Sequence, residues 1–263
     1  MTDPKSFFID GEAYERLMGR FTRAAGEVFL DWLSMPPGLA WVDVGCGTGA
    51  FTQLILDRCA PSSVAAIDPS EEQIAYARNT PTAKRVDFRI GDAQSLPFAD
   101  RTFEAAVMAL VITFVADPDK AIAELKRVTK PGGTIATYMW DFANKGFPQQ
   151  PLREAVEAMG AQIPVVPGHL HSRMENMEGY LRSVGLDDIA KRVIEVDVTY
   201  PDFDEYWSAQ TALPNYLVQV IQKMSAAEVE RLQTRLRTSL PRDECGNIAY
   251  KARANAVKGR APR

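Results

Sequence analysis

The chain has 263 residues, enough for one large domain or a compact domain with an added subdomain. Hydrophobic residues make up 46% and charged residues 24%, which excludes collagen-like, disordered and disulfide-scaffold classes. Thirty Lys and Arg against 34 Asp and Glu give a formal charge of −4, so no general basic field is available to hold a polyanion, and no nucleic-acid partner is expected. Cys46, Cys59 and Cys245 include no C-x-x-C pair, so neither a disulfide framework nor a metal site is expected, and a reducing compartment, the cytoplasm, fits. The opening MTDPKSFFID lacks a basic region followed by an apolar run, so no signal peptide is expected. The longest nearly apolar run, Ala105 to Ala116, is short of the ~18 to 20 residues that span a bilayer and reads as a buried strand.

In chain order, Phe21, Ala24, Ala25, Val28, Phe29, Trp32 and Leu33 follow the spacing of an amphipathic helix, which Pro36, Pro37 and Gly38 then stop. Short apolar runs and helical patterns alternate after it. Strands are expected at Ala40 to Val44, Val64 to Ile67, Val86 to Ile90, Phe103 to Ala109 and Thr134 to Trp140, with helices at Ala50 to Cys59, Glu71 to Asn79 and Asp117 to Val128. Repeated βαβ units of this kind predict five parallel strands. From Asp141 to about Gly185 the rhythm breaks around Pro148, Pro151, Pro164, Pro167 and Gly168, with one helical stretch near Leu152 to Met159. Ile194, Val196, Val198 and Tyr200 then alternate with polar residues as a sixth strand, Ser225 with Glu228 opens a helix to about Ser239, and Asn247 to Val257 reads as a last strand. The basic residues of the tail, Lys251, Arg253, Lys258, Arg260 and Arg263, read as a solvated strand face and a frayed end.

The segment Trp41-Val-Asp-Val-Gly-Cys-Gly-Thr-Gly-Ala50 puts Gly45, Gly47 and Gly49 at a strand exit before a helix, where backbone can approach a ligand closely. Asp68 ends the second strand, where a carboxylate can accept from two ribose hydroxyls. Gly45, Gly47 and Ala50 also satisfy the G-x-G-x-x-G/A pattern of nicotinamide and flavin enzymes, so the turn by itself leaves the nucleotide open. Asp43 argues against a pyrophosphate and for a cationic or amine-bearing ligand. Cys46 reads as a small packing group inside the turn.

With VDVGCGTG at Val42 to Gly49, IDPS at Ile67 to Ser70, GDAQSLPF at Gly91 to Phe98 and ELKRVTKPGG at Glu124 to Gly133, the chain resembles the class I S-adenosylmethionine-dependent methyltransferases. The branch it resembles contains ubiquinone and menaquinone biosynthesis C-methyltransferases and many small-molecule methyltransferases. The resemblance spans Tyr14 to Gly133 and implies a Rossmann-like α/β fold, a doubly wound seven-stranded sheet in the order 3-2-1-4-5-7-6 with the last strand antiparallel and a helical insertion between strands five and six. It implies S-adenosyl-L-methionine as cofactor and S-adenosyl-L-homocysteine as product. Asp43 and Gly45 would hold the methionine moiety, Asp68 the ribose, and Gln73 the adenine, whose amino edge would meet Asp92 and the Ala93 backbone, with Gly47, Gly49 and Pro69 also in the cofactor site. Leu110 would lie under the sulfur, and Tyr14 and Arg20 would reach the carboxylate from an N-terminal lid. The expected division is a lid over 1–38, a cofactor-binding core over 39–140, a substrate cover over 141–185 and sheet-completing strands and helices over 186–263.

Methyl transfer from a sulfonium is an in-line displacement with an activated leaving group, so orientation and exclusion of water carry most of the work. Where the acceptor must lose a proton, His169 and His171 are the candidate bases by elimination, being the only histidines. The strand-four exit, Ala109 to Phe114, has neither an Asn/Asp-Pro-Pro-aromatic tetrapeptide nor a Pro-Cys pair, which favours a small, mainly apolar acceptor enclosed by Phe114, Trp140, Phe142, Phe147 and the insertion. A cofactor-binding protein without a competent acceptor site and a methyltransferase acting on RNA or protein are the alternatives.

Overall fold

The computed structural model describes residues 20–212 and 215–263. The first apolar ladder forms helix α1 (Arg20–Leu33), which buries Phe21, Ala25, Phe29 and Leu33. A positive φ of 52° at Ser34 then turns the chain ahead of the two prolines. Two strand-and-helix units follow, β1 (Ala40–Val44) with α2 (Ala50–Arg58) and β2 (Ser63–Asp68) with α3 (Glu71–Arg78), and then the strand β3 (Val86–Ile90). β4 (Phe103–Ala109) leads to α4 (Pro118–Val128), where the Asp117 side chain accepts from the Lys120 amide at 3.0 Å and Pro118 occupies the first turn. β5 (Thr129–Trp140) is followed by α5 (Gln150–Glu157) and α6 (Met174–Ser183), and β6 (Asp187–Tyr200) by α7 (Phe203–Thr211), α8 (Tyr216–Gln222) and α9 (Ala226–Ser239). β7 (Ile248–Arg260) closes the fold.

The strands form one seven-stranded sheet in the order β3-β2-β1-β4-β5-β7-β6, as expected. Neighbours from β3 to β5 are parallel, and β7 lies antiparallel between β5 and β6. Small residues line the centre: Val42 pairs with Ala65 on one side and Ala106 on the other, which leaves room for helices on both faces. The parallel strands all end at one rim, and the turns leaving that rim carry the residues of the glycine segment, Asp68 and Leu110.

Several boundaries differ from the sequence reading. The apolar run from Ala105 is not strand throughout: β4 ends at Ala109, Leu110 takes a φ of +61°, and Ile112 to Phe114 form a 3-10 turn. β5 begins five residues before Thr134, because Thr129 already pairs with Phe103 and the Lys130 to Gly133 segment is accommodated as a bulge. β6 begins at Asp187, well ahead of the alternating residues, since its first half is exposed or half-buried and carries no period-two signal. The tail is not frayed: the Ala261 amide donates to Gly133 O at 2.9 Å and the Gly132 amide to Ala261 O at 2.8 Å. Lys258 is held by Trp32, with its ammonium 2.7 Å from the carbonyl oxygen and 4.6 Å from the ring centroid, whereas Lys251 faces Glu195 and Asp197 on the solvated side.

Helices α6, α7 and α8 were not anticipated. The second and third are opened by Asp202 and Asn215, whose side chains accept from the amides three residues on, the same device the Ser225 capping box uses for α9. The chain thus makes a second helical excursion, between Tyr200 and Ile248, in addition to the expected one after β5. Among the described residues no helix is long and apolar enough to cross a membrane.

Candidate functional site

Asp43 is the penultimate residue of β1 and is fully buried. Its Oδ2 accepts from Thr52 Oγ1 of α2 at 2.6 Å, while its Oδ1 has no partner among the described residues. Burial pushes its carboxyl up to about 7, the nearby Asp68 adds to the rise, and the Thr52 bond opposes it. Thr52 went unremarked in the sequence; the signal was a hydroxyl on the buried side of α2, where an apolar residue would be the default.

The glycine turn is built from left-handed backbone, with φ of +78° at Gly45, +54° at Gly47 and +89° at Gly49. The Gly45 and Cys46 amides donate to Ile67 O at 2.7 and 3.0 Å, which folds the turn over the end of β2. A Cβ at Gly45 would lie 2.3 Å from Val111 Cγ2, so the exits of β1 and β4 touch here and no side chain fits between them. A Cβ at Gly47 would meet nothing nearer than Gln73 Oε1 at 3.7 Å, so that position faces open space. Cys46 is buried, and burial with the neighbouring Asp43 and Asp68 charges raises its thiol well above the usual range, which suits an inert packing group.

Asp68 closes β2 and ties two turns together: its Oδ2 accepts from the Gly47 amide and its Oδ1 from the Ser70 amide, each at 2.9 Å. Burial raises its carboxyl, and those two amides oppose the rise. Pro69 is exposed beside it, and Ser70 caps α3 by accepting from the Gln73 amide at 3.2 Å. Gln73 is buried with its Oε1 toward Gly47. Asp92 is exposed, with Oδ1 accepting from the Gln94 amide at 2.8 Å, and Ala93 is half-buried behind it. The loop carrying both is latched from α4, because Glu124 Oε2 accepts from the Leu96 amide at 2.7 Å and Arg127 donates to Leu96 O, Phe98 O and Asp100.

Leu110 holds its left-handed conformation with its amide donating to Tyr138 O at 2.8 Å, a strained position for a branched side chain at a strand exit. Of the expected acceptor residues, Trp140 is buried, Phe142 and Phe147 pack at 5.0 Å between centroids, and Phe114 is 45% exposed. His169 and His171 lie on a 3-10 turn pinned by the buried Ser172, whose Oγ donates to His169 O at 2.6 Å and accepts from the Ala143 amide at 3.2 Å. His171 Nδ1 is engaged by the Tyr180 hydroxyl at 2.5 Å, and burial together with His169 lowers its pKa. Tyr14 lies outside the described residues; Arg20 opens α1, and its side chain also lies outside them. Among the described residues no cluster of three or more His, Cys, Asp or Glu could hold a metal ion.

Residues 42–137 match the family model described as a methyltransferase domain. The malonyl-[acyl-carrier protein] O-methyltransferase of Pectobacterium atrosepticum is 37% identical over 123 residues, 47% of this chain and 47% of that protein. The demethylmenaquinone methyltransferase of Renibacterium salmoninarum is 37% identical over 114 residues, 43% of this chain and 46% of its own. The matched stretch therefore spans about half the length of these relatives. In structure, the chain is similar to phosphoethanolamine N-methyltransferase 2 of Haemonchus contortus, with a TM-score of 0.57 at 18% identity over 95% of this chain and 56% of that one, a likeness of fold. Residues 42–137, which contain the glycine turn, Asp68 and Leu110, are thus the part of the chain that is similar to a methyltransferase domain.

Proposed function

We propose that the chain is an enzyme that transfers a methyl group from S-adenosyl-L-methionine to a small, largely apolar acceptor, releasing S-adenosyl-L-homocysteine. The observation that carries this reading is Asp43: a fully buried carboxylate with an unpartnered oxygen beside an open glycine turn is suited to a cationic ligand and repels a pyrophosphate. The residues present fit the cofactor. Asp43 and the amides around Gly45, Gly47 and Gly49 would hold its amino acid end, Asp68 its ribose, Gln73 and the Asp92–Ala93 turn its adenine, and Leu110 would sit under the sulfur, with Tyr14 and Arg20 reaching the carboxylate.

When bound, the cofactor supplies an electrophilic methyl group on a sulfonium leaving group. The chain's part is to hold the acceptor in line and keep water out. Trp140, Phe142, Phe147 and Phe114 would provide the apolar walls, with the 141–185 segment as cover. His171, already bonded to Tyr180, is the better placed of the two histidines to take a proton where the acceptor has one to lose. The three cysteines, all free, fit a cytoplasmic setting.

Calorimetric titration with S-adenosylmethionine, S-adenosylhomocysteine and NAD tests the cofactor assignment, and tight NAD binding with no response to the sulfonium would overturn it. S-adenosylhomocysteine release on small phenols, quinone precursors, amines and carboxylates, with RNA and a basic protein in parallel, tests the acceptor class. Turnover on RNA or protein alone would refute a small acceptor. Cofactor binding with no turnover on any of them would favour a binding protein.

A further inference from the structure

At the rim of the outer strands, on the face covered by α1, polar side chains gather without a charged residue among them. Opposed residues of an antiparallel pair share a face, and Val198 opposite Tyr250, with Tyr200 two residues on, places Tyr200 and Tyr250 together. Trp140, opposite Ala254, lies on the same face, as does Tyr138, whose ring packs at a tilt against Phe29 of α1 at 4.6 Å. Helix α7 closes over the group. Its Tyr206 meets Tyr200 edge-on at 5.3 Å, and one turn later Gln210 Nε2 donates to Tyr200 Oη at 2.9 Å and reaches Tyr250 Oη at 3.5 Å. Phe21, in the first turn of α1, meets Tyr200 edge-on at 6.1 Å and ties the cluster to that helix.

Two buried atoms here have no hydrogen-bond partner among the described residues, Tyr206 Oη and Gln210 Oε1, and Trp140 Nε1, further along the same sheet face, is a third. Tyr206 and Gln210 are each 0% exposed. Closing off a hydroxyl and a carboxamide oxygen in this way is costly unless something binds them. Tyr250 Oη donates to Pro148 O at 2.8 Å and Gln149 Nε2 to Gln210 O at 3.0 Å, which sets the resting position of α7 over the cluster.

We propose that this cluster, around Tyr206 and Gln210, is the far end of the acceptor site and receives an uncharged hydrogen-bonding group, a hydroxyl or carboxamide, carried by an otherwise apolar molecule. The phenol offers a donor and an acceptor and the Gln210 oxygen a further acceptor, which together complement a group that both gives and takes a hydrogen bond. A carboxylate or ammonium would be buried here without a counterion. Because burial and the adjacent Tyr200 raise the Tyr206 phenol above its usual range, it stays neutral and keeps its proton to donate. With the group shut off from solvent, occupancy requires α7 to move outward, so association is slower than diffusion. This inference rests on the proposed reading of the chain as an enzyme with a small, largely apolar acceptor, but its test reads binding and not turnover.

Fluorine NMR titration of the full chain, loaded with S-adenosylhomocysteine, against 4-fluorophenol, 4-fluorobenzamide, fluorobenzene and 4-fluorobenzoate separates the chemistries. The phenol and amide should bind at least roughly fivefold more tightly than the other two, the effect of about one net hydrogen bond. Tyr206→Phe should remove that advantage for 4-fluorophenol, leave fluorobenzene unchanged and leave the melting temperature undiminished, since the hydroxyl has no partner to lose. Gln210→Met should weaken the amide more than fluorobenzene and serves as the second variant. Equal binding of 4-fluorophenol to wild type and Tyr206→Phe, preference for the benzoate, or no binding by any probe would overturn the proposal and leave an internal water as the occupant. Probe binding that depends on Tyr206 without any methyl transfer would sink the enzymatic reading and leave this site standing.

Discussion

Asp43 carries the sharpest conflict between stability and function at the residue scale. In the unfolded chain its carboxyl ionises near 3.8, in the folded one near about 7, so between those values the folded state holds a proton that the unfolded state has released. Its contribution to stability is therefore fully present below pH 3.8 and is lost as pH rises toward 7, a change of about 4 kcal/mol in order of magnitude. A ligand ammonium beside Oδ1 reverses the preference by favouring the ionised form. Cofactor affinity should accordingly rise more than about tenfold between roughly pH 5 and pH 7 and flatten above it, a slope that Asp43→Asn should abolish while melting at a higher temperature at alkaline pH. Calorimetry at several pH values checks both; a pH-independent affinity in the wild type would separate Asp43 from the ligand. Asp68 works differently, since it already accepts two backbone amides. Asp68→Ala should weaken cofactor binding by about 2 to 3 kcal/mol and also lower the melting temperature, because the Gly47 and Ser70 amides lose their acceptor. Unchanged affinity in the titration would remove it from the ribose.

Between elements, the three glycines that look alike in the sequence have unlike duties. Gly45 is where β1 and β4 meet, so Gly45→Ala forces a methyl into Val111 at a left-handed φ and should destabilise the fold by about 3 kcal/mol. Gly47→Ala carries only the backbone strain, about 1 kcal/mol, and its damage should appear in cofactor affinity, since the space beyond it is open. Adding Val111→Ala to Gly45→Ala should restore part of the stability but none of it if the strain lies in φ alone, which denaturant melts of the three variants would decide. The same contrast explains what was legible. Strand exits, glycines and acids announce themselves because each chemistry needs one residue type, and Ala40–Val44, Val86–Ile90 and Phe103–Ala109 match their expected bounds. The partners that tune them did not: Thr52 and Val111 are ordinary residues whose meaning comes from contacts across the sheet. Likewise the ELKRVTKPGG segment reads as a family mark, yet its Glu124 and Arg127 act as the latch that fixes the loop of Asp92.

Across the molecule, one rim of a regular sheet carries two helical excursions, Asp141 to Leu186 and Pro201 to Asn247, and the second was largely hidden in the sequence. Its helices α7 and α8 are short, nine and seven residues, so they give only about two turns of periodicity, and their caps at Asp202 and Asn215 resemble ordinary turn residues. Its position is nevertheless defined by the strands it joins, because Tyr200 pairs directly with Ile248 and the two ends could be connected by a tight hairpin. Replacing Pro201 to Asn247 by Asn-Gly should thus leave a β6–β7 hairpin and a cofactor site whose every named residue lies elsewhere. S-adenosylhomocysteine affinity is expected to stay within about threefold of wild type, about 0.6 kcal/mol, while methyl transfer to any small acceptor that the intact chain accepts is lost. Circular dichroism melts establish that the shortened chain folds, and titration and turnover are then compared on the same preparation. Retained turnover would show that the second excursion only completes the core, whereas a collapse of cofactor affinity in a folded variant would place it in the cofactor site, contrary to the division of labour along the rim.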